Sequence, residues 1–323
     1  MKVLVLKLLL ICLPFITVFL GIEYTLGKAA NSHKKKIAFL EKNVGEIELI
    51  IMGSSQAYDG IDPDCFNLKT FNMANVSQTI YYDTQLLNKF LPLMKNLKVA
   101  ILPLSYFSFE TDVSDSSEAF RCFFYQRYYG ISWPEPTLNN LLDIRNFSLY
   151  ALYGKEQSRI LLKNRQQYTD LAPFQTFPGW NRLDGNGADI NERTGRETVA
   201  RHHQSMKSRH VFRNRALLEG TLQELKARGI LTIIVTPPVH TTYSNHIDPL
   251  RYQFFLNIVT DICTRYGITY RNYMNDRRFS QLDFYDNDHL NMKGARKFSA
   301  LLNSEVNLLS QPNAAAFPRT PVP

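Results

Sequence analysis

Cysteine is scarce in this chain, at four among 323 residues. Cys12, Cys65, Cys122 and Cys263 form no close pair and show no metal-ligand spacing, which excludes a disulfide framework and a zinc module. Cys12 falls in an apolar run. The other three permit one bridge, and buried or free thiols fit the spacing equally well. A glycine-rich phosphate loop is also missing. Only Gly53 and Gly60 lie near the first apolar strand pattern, which argues against dinucleotide and P-loop binding. There is no internal repeat. The formal charge is +8, but residues 1–36 alone carry +5, from six lysines against Glu23, leaving +3 for the rest. That balance flanks an apolar segment and is poor evidence for nucleic-acid binding, so no nucleic-acid partner is expected.

Long apolar runs are equally rare, with one exception. Residues 3–22 are apolar apart from Lys7 and Thr17, and about 20 such residues cross a bilayer as a helix. An uncleaved single-pass anchor over residues 1–27 is the expectation. A cleaved signal peptide is the rival, with Gly27-Lys28-Ala29 as a mediocre cleavage site. Lys2 and Lys7 precede the run, and Lys28, Lys34, Lys35 and Lys36 follow it. Counted alone, these charges favour a cytoplasmic body. A polar, lysine-rich stalk is read over 28–45, and a disordered, proline-containing tail over 310–323.

Between them lie short apolar runs that suit strands buried on both faces, at 47–52, about 70–73, 98–103, 230–236 and 268–271. Helical patterns occupy 79–95, 211–228, 250–266 and about 292–308. This alternation predicts an α/β fold of three layers, α/β/α, on a parallel sheet. It defines one domain over 46–309. The rhythm breaks over about 107–210, which is rich first in aromatics (Phe120 through Trp133), then in Gly, Asn and Asp, then in basic residues. It is read as an insertion over the strand ends.

Two local motifs carry chemistry. Gly53-Ser54-Ser55 follows the first strand directly, and Asp286-Asn287-Asp288-His289 precedes the last helix. A serine nucleophile needs a base, and a histidine base needs a carboxylate to fix its tautomer. Asp286, three residues before His289, can fold back on the ring. Asp288 is adjacent to His289, and neighbouring side chains usually diverge, so Asp286 is preferred. The bland readings are a helix-capping turn serine and a surface histidine.

The order and context of these motifs resemble the SGNH/GDSL hydrolase superfamily over about 46–106 and 215–308. The resemblance implies a flavodoxin-like parallel sheet, Ser55 as nucleophile, His289 as base and Asp286 as its orienting carboxylate. Ser54 stands where many members have Asp. Gly-Ser-Ser here resembles the membrane-anchored acyltransferase-like branch, including the D-alanyl transfer protein of lipoteichoic acid synthesis and alginate O-acetylation proteins. The second block, Asn72 to Ser77, matches loosely, with Ala74 and Ser77 where glycines are usual. A Ser77 backbone N–H or the Asn75 side chain would donate to an oxyanion beside the Ser55 N–H. The third block's Gly-x-Asn-Asp is absent, with Ser105 in that region, a departure the acyltransferase-like branch shares.

The remaining candidates are less specific. His240 closes Thr236-Pro237-Pro238-Val239-His240 and is placed at the pocket or in a plain loop. Arg121 and Arg127, among aromatics, suit an anionic or sugar substrate, although that stripe reads more readily as the insertion's own core. No metal and no cofactor are expected. The resemblance implies an extracytoplasmic O-acyltransferase acting on a cell-envelope glycan, paired with a membrane-bound O-acyltransferase. An esterase of the same fold and a catalytically silent anchored scaffold are the alternatives.

Overall fold

A computed structural model describes residues 2–28, 31–163, 179–185 and 189–311. Residues 312–323, most of the tail expected to be disordered, lie outside them. The described chain runs α1 (Lys2–Lys28), α2 (Ser32–Asn43), β1 (Leu49–Ile51), α3 (Ser55–Gly60), β2 (Thr70–Asn72), α4 (Ile80–Phe90), β3 (Val99–Pro103), α5 (Cys122–Tyr129), α6 (Leu138–Leu142) and α7 (Leu149–Lys163). It continues with α8 (Glu192–Ser205), α9 (Val211–Ala227), β4 (Leu231–Thr236), α10 (Thr241–Ser244), α11 (Pro249–Tyr266), β5 (Thr269–Asn272) and α12 (Met292–Leu309). Two compact units emerge, one from residues 1–38 with 120–171, the other from 39–119 with 172–323.

The second unit is α/β. Its five strands pair in parallel in the order β2-β1-β3-β4-β5. Side chains alternate across a strand. Leu49, Ile51, Val99, Ile101, Ile233 and Val235 share one core with Ala57 of α3 and with Ala295, Phe298, Leu302 and Val306 of α12. The intervening Ile50, Ala100, Leu102 and Ile234 are also buried. On that side α9 packs against α4, β4 and α11, and α11 against β5. Covering both faces is what makes β1 and β3 read as unbroken apolar runs. α11 starts where Asp248 accepts the Leu250 N–H at 2.8 Å, with Pro249 opening the helix.

The connection from β1 leads to β2 on one side, while β3, β4 and β5 follow on the other. In such a sheet the crevice at the strand C-termini lies where the order reverses, between β1 and β3. Gly53, the second residue past β1, sits in that crevice. Its φ is 110°, and a Cβ there would lie 3.2 Å from the Pro103 carbonyl and 3.3 Å from Ala57 Cβ, so the turn requires glycine.

The first unit is helical. The segment after α1, read as a stalk, holds α2. In α5, Cys122, Phe123, Tyr125 and Tyr129 are buried. His33 stacks on Phe124 with ring centroids 5.4 Å apart, and Phe123 meets Trp133 edge-on at 5.0 Å. Much of the aromatic stripe is therefore core. All four cysteines are free thiols.

Candidate active site

Gly53 turns the chain so that Ser54 stands at the N-cap position of α3 and Ser55 opens the helix. The turn is braced from below. The Gly53 N–H donates to Asp83 Oδ1 at 3.0 Å, and Gln78 Nε2 donates to the same oxygen at 2.6 Å. Burial pushes the Asp83 carboxyl up to about 6, against the lowering effect of those two donors. Ser105, at the end of β3, donates through Oγ to Gln56 Oε1.

Residues 284–290 form a tight loop. Phe284 and Leu290 pair as an antiparallel bridge, and the Tyr285 N–H donates to the His289 carbonyl at 2.9 Å. Asp286 Oδ1 accepts the backbone N–H of Asp288 at 3.0 Å and of His289 at 2.8 Å. This turn is the fold-back that Asp-x-x-His permits. Asn291 caps α12 by accepting the Gly294 N–H at 3.0 Å, and its amide donates to the Leu282 and Phe284 carbonyls. A Cβ on Gly294 would come within 2.0 Å of the Asp283 carbonyl, so the helix seats directly on the loop backbone.

The two motifs meet. Ser55 Oγ lies 2.8 Å from His289 Nε2, and His289 Nδ1 lies 3.0 Å from each oxygen of Asp286. Asp288 Oδ1 is also within 3.4 Å of Nδ1. Burial opposes charge on His289, but the Asp288 and Asp286 carboxylates outweigh it and hold the imidazole pKa above its ordinary 6.5. The Asp286 carboxyl is lowered. Burial acts against that, and the His289 ring and two backbone donors overcome it. Asp288 is fully buried, and burial moves it up to about 6. The arrangement can lift a proton from Ser55 and hold it on Nε2 while Nδ1–H stays on a carboxylate.

Asp286, Asp288 and His289 place donor atoms within 4.8 Å of one another and could gather a cation. Turning Nδ1 to a metal would take from it the carboxylate that fixes its tautomer, so the two uses compete.

The other expected residues fall into distinct roles. The Asn75 N–H donates to the Gly53 carbonyl at 3.2 Å, and its Oδ1 accepts the Val76 N–H, which lays the second block along the Ser55 turn. Ser77 has φ 55°, a left-handed backbone, at the position where the resemblance expects glycine, and its Oγ donates to Glu118. His240 supports the loop: its N–H donates to the Asn287 carbonyl at 3.0 Å, its Nδ1 meets Thr242 Oγ1 at 2.8 Å, and its ring lies edge-on to Phe284. Arg121 and Arg127 belong to the first unit. The Arg121 guanidinium lies 5.2 Å from the Phe120 ring centre, and Arg127 reaches the Asn146 carbonyl at 3.4 Å.

Sequence reasoning did not find a second layer. Behind Asp288, His202 Nε2 stands 3.9 Å from Oδ2, and His202 Nδ1 is 2.5 Å from the Tyr243 hydroxyl. Burial lowers the His202 pKa to about 3, with nearby Arg201 and His289 adding to the effect, so its ring is neutral. Asp59, on α3, accepts from Asn181 Nδ2 at 2.8 Å and adds to the field that favours the His289 cation. His202 reaches the site from a separate stretch of chain, and Asp59, although on the same helix as Ser55, acts on His289 only through the fold, so the sequence carries no local signal for either.

No protein-family model matches this chain, and no curated protein does. Among solved structures, it is similar to a provisionally named acylhydrolase from Bacteroides fragilis, at 11% identity and TM-score 0.39, over 85% of this chain and 94% of that one. It is also similar to a GDSL-like lipase from Bacteroides thetaiotaomicron, at 10% identity and TM-score 0.38, over 86% of this chain and 98% of that one.

Proposed function

We propose that this chain is a serine-dependent acyl-transfer enzyme working through an ester on Ser55. The hydrogen-bonded line from Ser55 Oγ through His289 to Asp286 is the observation that carries this reading. Ser55 Oγ attacks the carbonyl carbon of an ester as His289 Nε2 takes its proton. The C–O bond to the leaving alcohol breaks, and His289 returns the proton to that oxygen. An incoming hydroxyl then gives its proton to His289, attacks the acyl carbon and releases Ser55. The Ser55 N–H, in the first turn of α3, has no intrahelical carbonyl to bond and is a candidate donor for the oxyanion.

Within this class, the Gly-Ser-Ser turn and the missing Asn of the third block favour transfer to an acceptor over hydrolysis. The acyl group is acetyl and the acceptor a cell-envelope glycan, with a membrane-bound O-acyltransferase supplying the acyl group. Anchoring by α1 supports the same setting, because that helix is long and apolar enough to cross a bilayer. On the resemblance to the acyltransferase-like branch, and against the count of flanking lysines, the body faces outward. Hydrolysis is the second reading, favoured by the partial exposure of Ser55 and His289, which leaves water a path to the ester.

The test is fluorophosphonate labelling of the full chain beside Ser55→Ala and His289→Ala. Labelling should vanish with the first and fall sharply with the second. An unlabelled, folded wild type would remove the activated serine and leave an anchored scaffold. Product analysis with and without a glycan hydroxyl acceptor then separates transfer from hydrolysis.

A further inference from the structure

The first unit carries an apolar face that nothing among its described residues covers. Leu138, Leu142, Ile144 and Phe147 are 70%, 69%, 66% and 72% exposed, within ten residues of chain. Scattered exposed apolar residues are ordinary, but a contiguous set marks a contact. Over 138–150 the only charged residues are Asp143 and Arg145, and they pair with each other at 2.7 Å. The Arg145 guanidinium also lies 4.5 Å from the Phe123 ring centre, turned toward the unit's own aromatics.

Hydrogen bonds tie the residues that follow this face to the end of α1. Glu23 accepts from Ser148 Oγ at 2.6 Å, from the Leu149 N–H at 2.7 Å and from the Tyr150 N–H at 3.0 Å. With residues 3–22 filling a hydrocarbon core of about 30 Å, Glu23 is the first residue beyond it. Tyr24 projects at the same level, with the Lys28 ammonium 4.2 Å over its ring, the pairing expected among headgroups. The three Glu23 bonds therefore hold residues 148–150 at the membrane surface, and the exposed apolar set precedes them directly.

We propose that Leu138, Leu142, Ile144 and Phe147 form a second membrane contact, seated in the lipid interface of the bilayer that α1 crosses. Lipid is the occupant because the face is continuous, through Glu23, with α1, which is long and apolar enough to span. The contact ties the end of the anchor to the bilayer surface and restricts rotation of the unit about α1. This inference rests on the anchoring read above.

The test uses the full chain with Cys12→Ser and Cys65→Ser, reconstituted in phosphatidylcholine–phosphatidylglycerol vesicles. An environment-sensitive fluorophore is placed singly through Leu142→Cys, Phe147→Cys, Phe15→Cys or Lys155→Cys. All four positions are exposed, so the core is undisturbed. Lipid spin-labelled near the headgroup should quench and blue-shift the probes at 142 and 147 and leave 155 unchanged, while deeply labelled lipid quenches 15. Quenching at 15 without quenching at 142 and 147 overturns the second contact and leaves the anchor standing. No quenching at 15 removes the anchor and this proposal together. A blue shift at 142 and 147 without lipid quenching, growing with protein density, assigns the face to a second copy and refutes the lipid reading.

Discussion

Asp286→Asn is the most discriminating change in the candidate active site, because two carboxylates compete for one imidazole nitrogen. Asp286 Oδ1 is held by two backbone N–H groups, at 3.0 and 2.8 Å. An asparagine keeps its oxygen there, so its NH2 takes the place of Oδ2, 3.0 Å from His289 Nδ1. Nδ1 then faces an NH2 donor at the same 3.0 Å as the retained oxygen, which shifts the ring toward the tautomer with its proton on Nε2, facing Ser55. A ring in that tautomer cannot act as base. Where this exchange removes the sole orienting carboxylate of a serine triad, the loss is about 10⁴ in kcat.

Here Asp288 Oδ1 stands 3.4 Å from the same nitrogen and offers a poorer acceptor. Asp286→Asn alone should therefore lose about 10² in kcat/KM, and Asp286→Asn with Asp288→Asn about 10⁴, equivalent to ~5.5 kcal/mol. Asp288→Asn alone should change the plateau rate by less than about tenfold, leaving a coupling term between the two sites. Release of nitrophenol from an aryl acetate gives the rates, and an unchanged melting temperature excludes unfolding. Near-normal rates in Asp286→Asn with collapse in Asp288→Asn would refute the assignment and make Asp288 the orienting group.

The pH profile tests the same field. The active form of His289 is neutral, and the Asp288 and Asp286 carboxylates overcome burial to raise its pKa, so kcat/KM should climb with pH to a midpoint above 6.5. Asp288→Asn removes the largest raising neighbour and should move that midpoint down; a wild-type midpoint at or below 6.5 contradicts the geometry. Beneath the site, burial raises Asp83 from 3.8 to about 6, so the folded chain holds that proton more tightly than the unfolded one, and stability is lost as pH rises through about 6. Asp83→Asn, which still accepts from Gly53 and Gln78, should stabilise the chain above that pH by at most ~3 kcal/mol and leave it unchanged below 3.8; urea unfolding on either side checks this, and equal effects at both pH values sink it.

What could be read from the sequence followed from the range over which each feature is encoded. Strands buried on both faces appear as apolar runs, so 231–236 and 99–103 lie within a residue of their expected limits. The first run begins two residues before β1, whose entrance is marked by the Glu48–Lys98 ion pair. The meeting of Ser55, His289 and Asp286 was legible because the candidate site sits in two short motifs, one on the turn after β1 and one folded on itself by the Asp286 backbone bonds. His202, Asp59 and Asp83 were not, because each acts through a contact that only the fold creates. His202 reaches Asp288 from α8, while Tyr243 on α10 orders its other nitrogen. Nothing in the spacing of 202, 243 and 288 marks that link. The aromatic stretch 120–133 was ambiguous for another reason, since stacking surfaces and small cores share a composition; only the burial of Phe123, Tyr125 and Tyr129 shows that those rings hold the helical unit together. Local chemistry thus identifies the candidate nucleophile and its base, and long-range packing sets how basic that base is. This is why a change at Asp288, next to His289 in sequence but buried through its distant partners, should move the pH midpoint more than the plateau rate.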